Sequence, residues 1–104
     1  MVEVVITYKL KAGVSREEYR KWSVEIDQPI ASSQPGVLSY KIIEIDGGDG
    51  AETPFDILEV IQAESWEAWK QVPARPAMQP VVARFLELCD ADSVHMLYGY
   101  EIES

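Results

Sequence analysis

Trp22, Glu25 and Asp27 stand close together just ahead of Pro29. A carboxylate held against an indole and away from water binds its proton nearer neutrality, where a general base works best. Asp27 is therefore the candidate catalytic residue, as hydrogen-bond acceptor or base, with Trp22 as a stacking surface. The competing and preferred reading of Asp27 is simple capping of the chain after the kink, or solvation. Glu25 is the weaker of the two acids. Glu59, between Leu58 and Val60 on a central strand, also has two readings. Burial would make it an acid of raised pKa, whereas Lys9 and Lys41, expected on the same sheet face, would make it half of a cross-strand ion pair. The ion pair is the preferred expectation. His95, the only histidine, titrates near neutral pH, but strand alternation turns it away from the helices, toward an interface. Tyr40 and Tyr98 are strand tyrosines able to donate hydrogen bonds.

Other chemistries lack their residues. There is no G-x-S-x-G, no Cys-His pair in a suitable setting, no glycine loop for phosphate and no flavin or nicotinamide spacing. The single cysteine, Cys89, has no disulfide partner in the chain and falls on an apolar helix stripe, where it reads as core. One histidine and one cysteine do not make a zinc site of the usual kind, and Asp46, Asp49 and Glu52 lack the spacing of an EF-hand. No metal and no cofactor is expected. An enzyme built from these residues would work by enclosure, one or two acid/base groups and the reactivity of its substrate.

The elements that position these residues read clearly. Val2, Val4, Ile6, Tyr8 and Leu10 alternate with Glu3, Val5, Thr7, Lys9 and Lys11, the period of a strand. Ser15 and Glu18 form a capping box, with Val14 and Tyr19 placed as a hydrophobic staple, so a helix begins there. Tyr19, Trp22, Ser23, Ile26 and Ile30 share one helix face. Pro29 lacks an amide hydrogen and crowds the carbonyl of Glu25, so the helix must end or kink near Asp27. Pro35-Gly36 opens a strand from Val37 to Asp46, and a glycine-rich loop leads to another from Phe55 to Gln62. Ser65 caps a helix that breaks at Val72-Pro73. Pro76 or Pro80 opens the next, carrying Met78, Val81, Val82, Phe85, Leu86 and Cys89. The last strand runs from Val94 to Ile102.

This order, strand-helix-strand-strand-helix-strand, is the ferredoxin-like βαββαβ pattern: an α+β fold with an antiparallel four-stranded sheet covered by helices on one face. The 104 residues make a single domain, 1–104. Val4, Ile6, Tyr8, Leu58, Val60, Met96 and Tyr98 are expected under the helices. The other face is expected to hold Val5, Thr7, Lys9, Ser39, Lys41, Ile43, Ile57, Glu59, Ile61, His95 and Leu97. So many β-branched residues would not be left in water, so this face is expected to meet its copy in a homodimer, two sheets stacked as a barrel. A net charge of -9 argues against nucleic acid and anionic membrane surfaces as partners. No apolar run approaches the ~20 residues of a membrane helix, and no charged-then-apolar leader opens the chain, so a cytoplasmic location is expected.

The W-x-x-E-x-D-Q-P end of the first helix, P-G-V-x-x-Y, and L-E-V before E-S-W-E-A-W resemble the dimeric α/β-barrel superfamily. More narrowly, the whole chain resembles the small RedY/HapK-like proteins of prodigiosin-type pigment biosynthesis. That resemblance implies an accessory protein, or a cofactor-free enzyme, acting on a bipyrrole precursor. In the wider superfamily it implies cofactor-free monooxygenases, isomerases and cyclases that hold flat aromatic ligands between sheet and helices. A non-catalytic dimer carrying an intermediate is the third reading. The pocket is expected under the first helix, with Tyr8, Trp22, Ile26, Met78 and Tyr98 binding the ligand. Two departures matter. Met78, in Arg75-Pro76-Ala77-Met78, stands where some cyclase-like relatives carry an acid/base histidine. Asp27 stands before Gln28-Pro29 where ring-degrading relatives tend to show histidine.

Overall fold

The computed structural model describes residues 1–50 and 52–103. Strand β1, Val2–Tyr8, lies inside a four-stranded sheet of order β2-β3-β1-β4, with β2 at Val37–Glu44, β3 at Ile57–Ala63 and β4 at His95–Gly99. All three pairings are antiparallel. This is the ferredoxin-like arrangement of an α+β chain. The strands end earlier than periodicity suggests: β2 stops at Glu44, and β4 ends at Gly99, leaving Tyr100 and Ile102 exposed.

The first helical stretch starts where its cap requires. Ser15 Oγ accepts the Glu18 amide at 3.0 Å, and helix α1 spans Arg16–Trp22. Pro29 does not end the stretch. The chain widens into a π turn at Ser23–Asp27, closed by the Gln28 amide on the Ser23 carbonyl, and continues as α2, Gln28–Ser32. An inserted π turn re-aims side chains relative to an ideal helix and recurs at functional sites. Here it turns both Ser23 and Asp27 inward, each 2% exposed.

Ser65 Oγ accepts the Ala68 amide and opens α3, Trp66–Gln71, which stops as expected at Val72-Pro73. Tight turns at Val72–Ala74 and Pro76–Met78 lead into α4, Gln79–Leu88, with Pro80 in its first turn, where a missing amide costs nothing. Cys89 is buried at its end and bridges to Leu10.

The core lies between the helices and one sheet face, and here one expectation is overturned. In β3 the buried residues are Ile57, Glu59, Ile61 and Ala63, while Leu58, Val60 and Gln62 are half-buried on the other face. The pairing forces this: Ile57, Glu59 and Ile61 sit opposite Tyr8, Ile6 and Val4, whose side chains share the helix-covered face. Glu59 therefore points under the helices, away from exposed Lys9 and Lys41, and the expected ion pair does not form. The open face instead aligns Leu97, Val5, Val60 and Lys41 in one cross-strand row, with His95, Thr7, Leu58 and Ile43 in the next.

Candidate functional site

Four elements converge on one buried cluster. The π turn supplies Asp27, β2 supplies Tyr40, β3 supplies Glu59 and β1 supplies Tyr8. The Tyr40 hydroxyl lies 3.2 and 3.3 Å from the two oxygens of Asp27 and 3.1 Å from Glu59 Oε1. Tyr8 donates its hydroxyl to Glu59 Oε2 at 2.6 Å. Its one proton thus committed, Tyr8 accepts the hydroxyl of Tyr19 from α1.

A phenol has one proton to give. With Tyr40 reaching both acids, one carboxylate receives it and the other is left facing an oxygen unless it carries a proton of its own. The electrostatics agree. Burial pushes Glu59 up to about 7, with the charge of Asp27 adding to the shift and the hydrogen bonds from Tyr8 and Tyr40 opposing it. Burial likewise pushes Asp27 up to about 6 against the Tyr40 hydrogen bond. Tyr8, Tyr19 and Tyr40 are all driven upward, first by burial and then by the charge of Glu59, so they remain donors. Coupled through one phenol and both raised well above the ordinary carboxylate range, the two acids are suited to trade protons, one taking while the other gives.

Asp27, Tyr40 and Glu59 line a cavity of about 300 Å³ between sheet and helices. Its remaining walls are apolar, including Trp22, Trp69, Met78, Val81, Phe85 and Met96. Mostly apolar walls with a few convergent polar groups are the usual make-up of a small-molecule site. Roomier hollows of about 500 and 650 Å³ lie on the open sheet face, around Val5 and Leu97 and around Thr7 and His95, without a buried acid.

The expected site residues divide. Asp27, Trp22 and Met78 line the cavity. Tyr8 stands one hydrogen bond behind it, holding Glu59. Ile26 is 39% exposed and faces an outer recess beside Lys21, Glu25 and Arg84. Tyr98 is half-exposed, stacks on Trp66 at 4.2 Å and does not line the cavity. Glu25 is exposed, and His95 lies exposed on the open face. Cys89 is a buried thiol pushed up to about 12 by burial and then by the nearby acids, the state of a core residue rather than a nucleophile. Sequence reasoning weighed Glu59 as a buried acid but preferred the ion pair with Lys9 and Lys41, and it missed the linking role of Tyr40. One signal was present: Leu58 and Val60 share their strand parity with polar Gln62 and Glu64, which marks that set as outward.

Among the described residues, no three or more His, Cys, Asp and Glu side chains group to hold a metal ion. Among the described residues, no helix is long and apolar enough to cross a membrane.

A family model described as "REDY-like protein HapK" matches residues 2–102. The chain belongs to the REDY-like HapK family. The crystal structure of HapK from Hahella chejuensis superposes with a TM-score of 0.80 at 17% identity, covering 100% of this chain and 95% of that one. SnoaB, a cofactor-independent oxygenase from Streptomyces nogalater, superposes at 0.75 with 12% identity, covering 99% and 94%. A dimeric ferredoxin-like protein of unknown function from Thermobifida fusca does so at 0.73 with 8% identity, covering 94% and 88%. At these identities the HapK-family chain shares a fold with the three structures. No protein of curated function matches the sequence.

Proposed function

We propose that this HapK-family protein is a cytoplasmic homodimer that encloses a flat pyrrolic or aromatic intermediate and moves a proton on it. The setting is the biosynthesis of a prodigiosin-type bipyrrole pigment. The observation that carries the reading is the sharing of one Tyr40 hydroxyl by two buried acids on the wall of an apolar cavity. Trp22 and Trp69 supply ring faces for the ligand. The ionised acid takes a proton from an N–H or an acidic C–H, and the protonated acid returns one at another atom. The balance is a tautomerisation, with no electrons gained or lost. Asp27, whose only hydrogen-bond partner in the cluster is Tyr40, is the freer of the two acids and the candidate base.

A second reading rests on the same pair. A substrate carbanion generated beside Asp27 is open to direct attack by dioxygen, the oxidant of a cofactor-independent oxygenase, and SnoaB shares this fold. The open sheet face, with Val5, Val60 and Leu97 in one row, supports stacking against a second copy, as does the dimeric Thermobifida fusca neighbour.

The test is turnover. Purified protein is mixed with bipyrroles and with quinols, in air and without it, while product mass and oxygen uptake are followed for wild type, Asp27→Asn and Glu59→Gln. Product formed by the wild type and lost in either variant supports proton chemistry, and oxygen uptake selects the second reading. Binding without product leaves a carrier and removes both catalytic versions.

A further inference from the structure

The hydrogen-bond donors that touch Asp27 and Glu59 are the neutral hydroxyls of Tyr8 and Tyr40, and among the described residues no cation hydrogen-bonds or ion-pairs with them. Every element packed around the pair tells the same story. β1 presents Tyr8, α1 presents Tyr19, β2 presents Tyr40, and the end of α4 presents the neutral thiol of Cys89. The arginines of the first and last helices turn outward: Arg16 and Arg20 pair with Glu44, Arg16 also with Asp56, and Arg84 with Glu18 and Glu87. Lys9, Lys11, Lys21, Lys41 and Lys70 are exposed, with Lys11 acting on the Cys89 thiol, and Arg75 donates to the Pro35 carbonyl. Buried carboxylates are ordinarily paired with a cation or neutralised by a proton. Two of them lining one cavity, with no protein cation, leave that place to the occupant.

We infer that the cavity is selective for a flat aromatic cation bearing N–H donors, such as an amidinium or a protonated nitrogen heterocycle, over its neutral isostere. This rests on the reading of the cavity as the ligand site. Trp22, Trp69 and Phe85 line the cavity with aromatic rings, which attract a cation placed over their faces, and the net charge of -9 draws one in. The cation takes over the role of a neutralising proton. Binding therefore expels protons, and affinity rises with pH across the range in which the two acids ionise, about 6 to about 7.

Three probes of one shape separate the possibilities: naphthalene-2-carboxamidine as cation, naphthalene-2-carboxamide as neutral isostere and naphthalene-2-carboxylate as anion. Binding is read by tryptophan fluorescence and calorimetry in buffers of different ionisation heat. The expected result at about pH 8 is amidine binding at least about tenfold tighter than amide binding, shrinking toward about pH 5, with proton release on binding between about pH 5 and about pH 7 and little at about pH 8, and no binding of the carboxylate. Asp27→Asn and Glu59→Gln, checked for folding by circular dichroism, are expected to lose the preference for the cation while still binding the amide. Amide binding as tight as amidine binding at the higher pH overturns the charge selectivity and leaves the cavity reading standing. If no probe binds, the cavity reading fails and the selectivity with it.

Discussion

Tyr40 and Glu59 lie diagonally across neighbouring strands, hydroxyl to Oε1 at 3.1 Å, on the face that the helices cover. Because the same hydroxyl also reaches Asp27, it couples two acids that are far apart in sequence. Tyr40→Phe removes the donor and keeps the ring. The expected outcome is a further rise in both carboxyl pKa values, since the Tyr40 hydrogen bond lowers each. Near neutral pH the variant is expected to lose about 1–3 kcal/mol of stability, the cost of buried acceptors without their donor. Carbon-13 titration of labelled carboxyl groups and urea unfolding read the two effects.

Stability is expected to fall as pH rises through the neutral range. Both acids are raised in the fold, from 3.8 to about 6 for Asp27 and from 4.5 to about 7 for Glu59. Between about pH 4 and about pH 7 the native state therefore holds more protons than the unfolded chain, which makes the slope of stability with pH negative. The contribution is whole below the unfolded values and gone above the folded ones, a loss of a few kcal/mol. Glu59→Gln, which cannot ionise, is expected to flatten the profile and to melt higher than wild type at about pH 8. Thermal melts across the range decide it; a wild-type melting temperature that climbs from about pH 5 to about pH 8 contradicts the assignment.

The two cavity indoles are expected to respond differently to truncation. Trp69 donates Nε1 to the Met96 sulfur at 3.3 Å, whereas Trp22 Nε1 is buried with no partner among the described residues. Each substitution by phenylalanine leaves a void, but only Trp69→Phe also loses a hydrogen bond. Trp22→Phe is therefore expected to cost about 1 kcal/mol less than Trp69→Phe. Paired urea titrations give the difference, and equal costs would show that the missing partner has no energetic consequence.

Val60 lies opposite Val5 and Lys41 in the open face. If two sheets stack there, Val60→Glu buries unpaired charges around the symmetry axis and is expected to give monomers, with helix content retained. Sedimentation at micromolar concentration tests both proteins. A monomeric wild type removes the dimer from the proposed function.

The chain's local signals determined much of this protein. Ser15 with Glu18, and Ser65 ahead of Trp66, mark helix starts because a cap is a contact within one turn. Alternation in Val2–Tyr8 and the glycine and proline breaks set the element order, and with it the ferredoxin-like topology. The π turn was legible only as a disturbance at Pro29; that it carries the helix onward and turns Asp27 inward depends on packing against the sheet. The facing of Glu59 was decided by tertiary structure, against conflicting local signals. Within Ile57–Ile61 apolar residues occupy both parities, and the only hint of phase is polar Gln62 and Glu64 further along, set against the polar Glu59 itself; a shift of one residue exchanges the faces. Pairing with β1 put Ile61 against Val4 and Ile57 against Tyr8, which drew the glutamate between them into the interior. There it met Asp27 through Tyr40, a meeting of three distant segments that no spacing in the sequence records, because closure of the sheet under the helices is what brings them together.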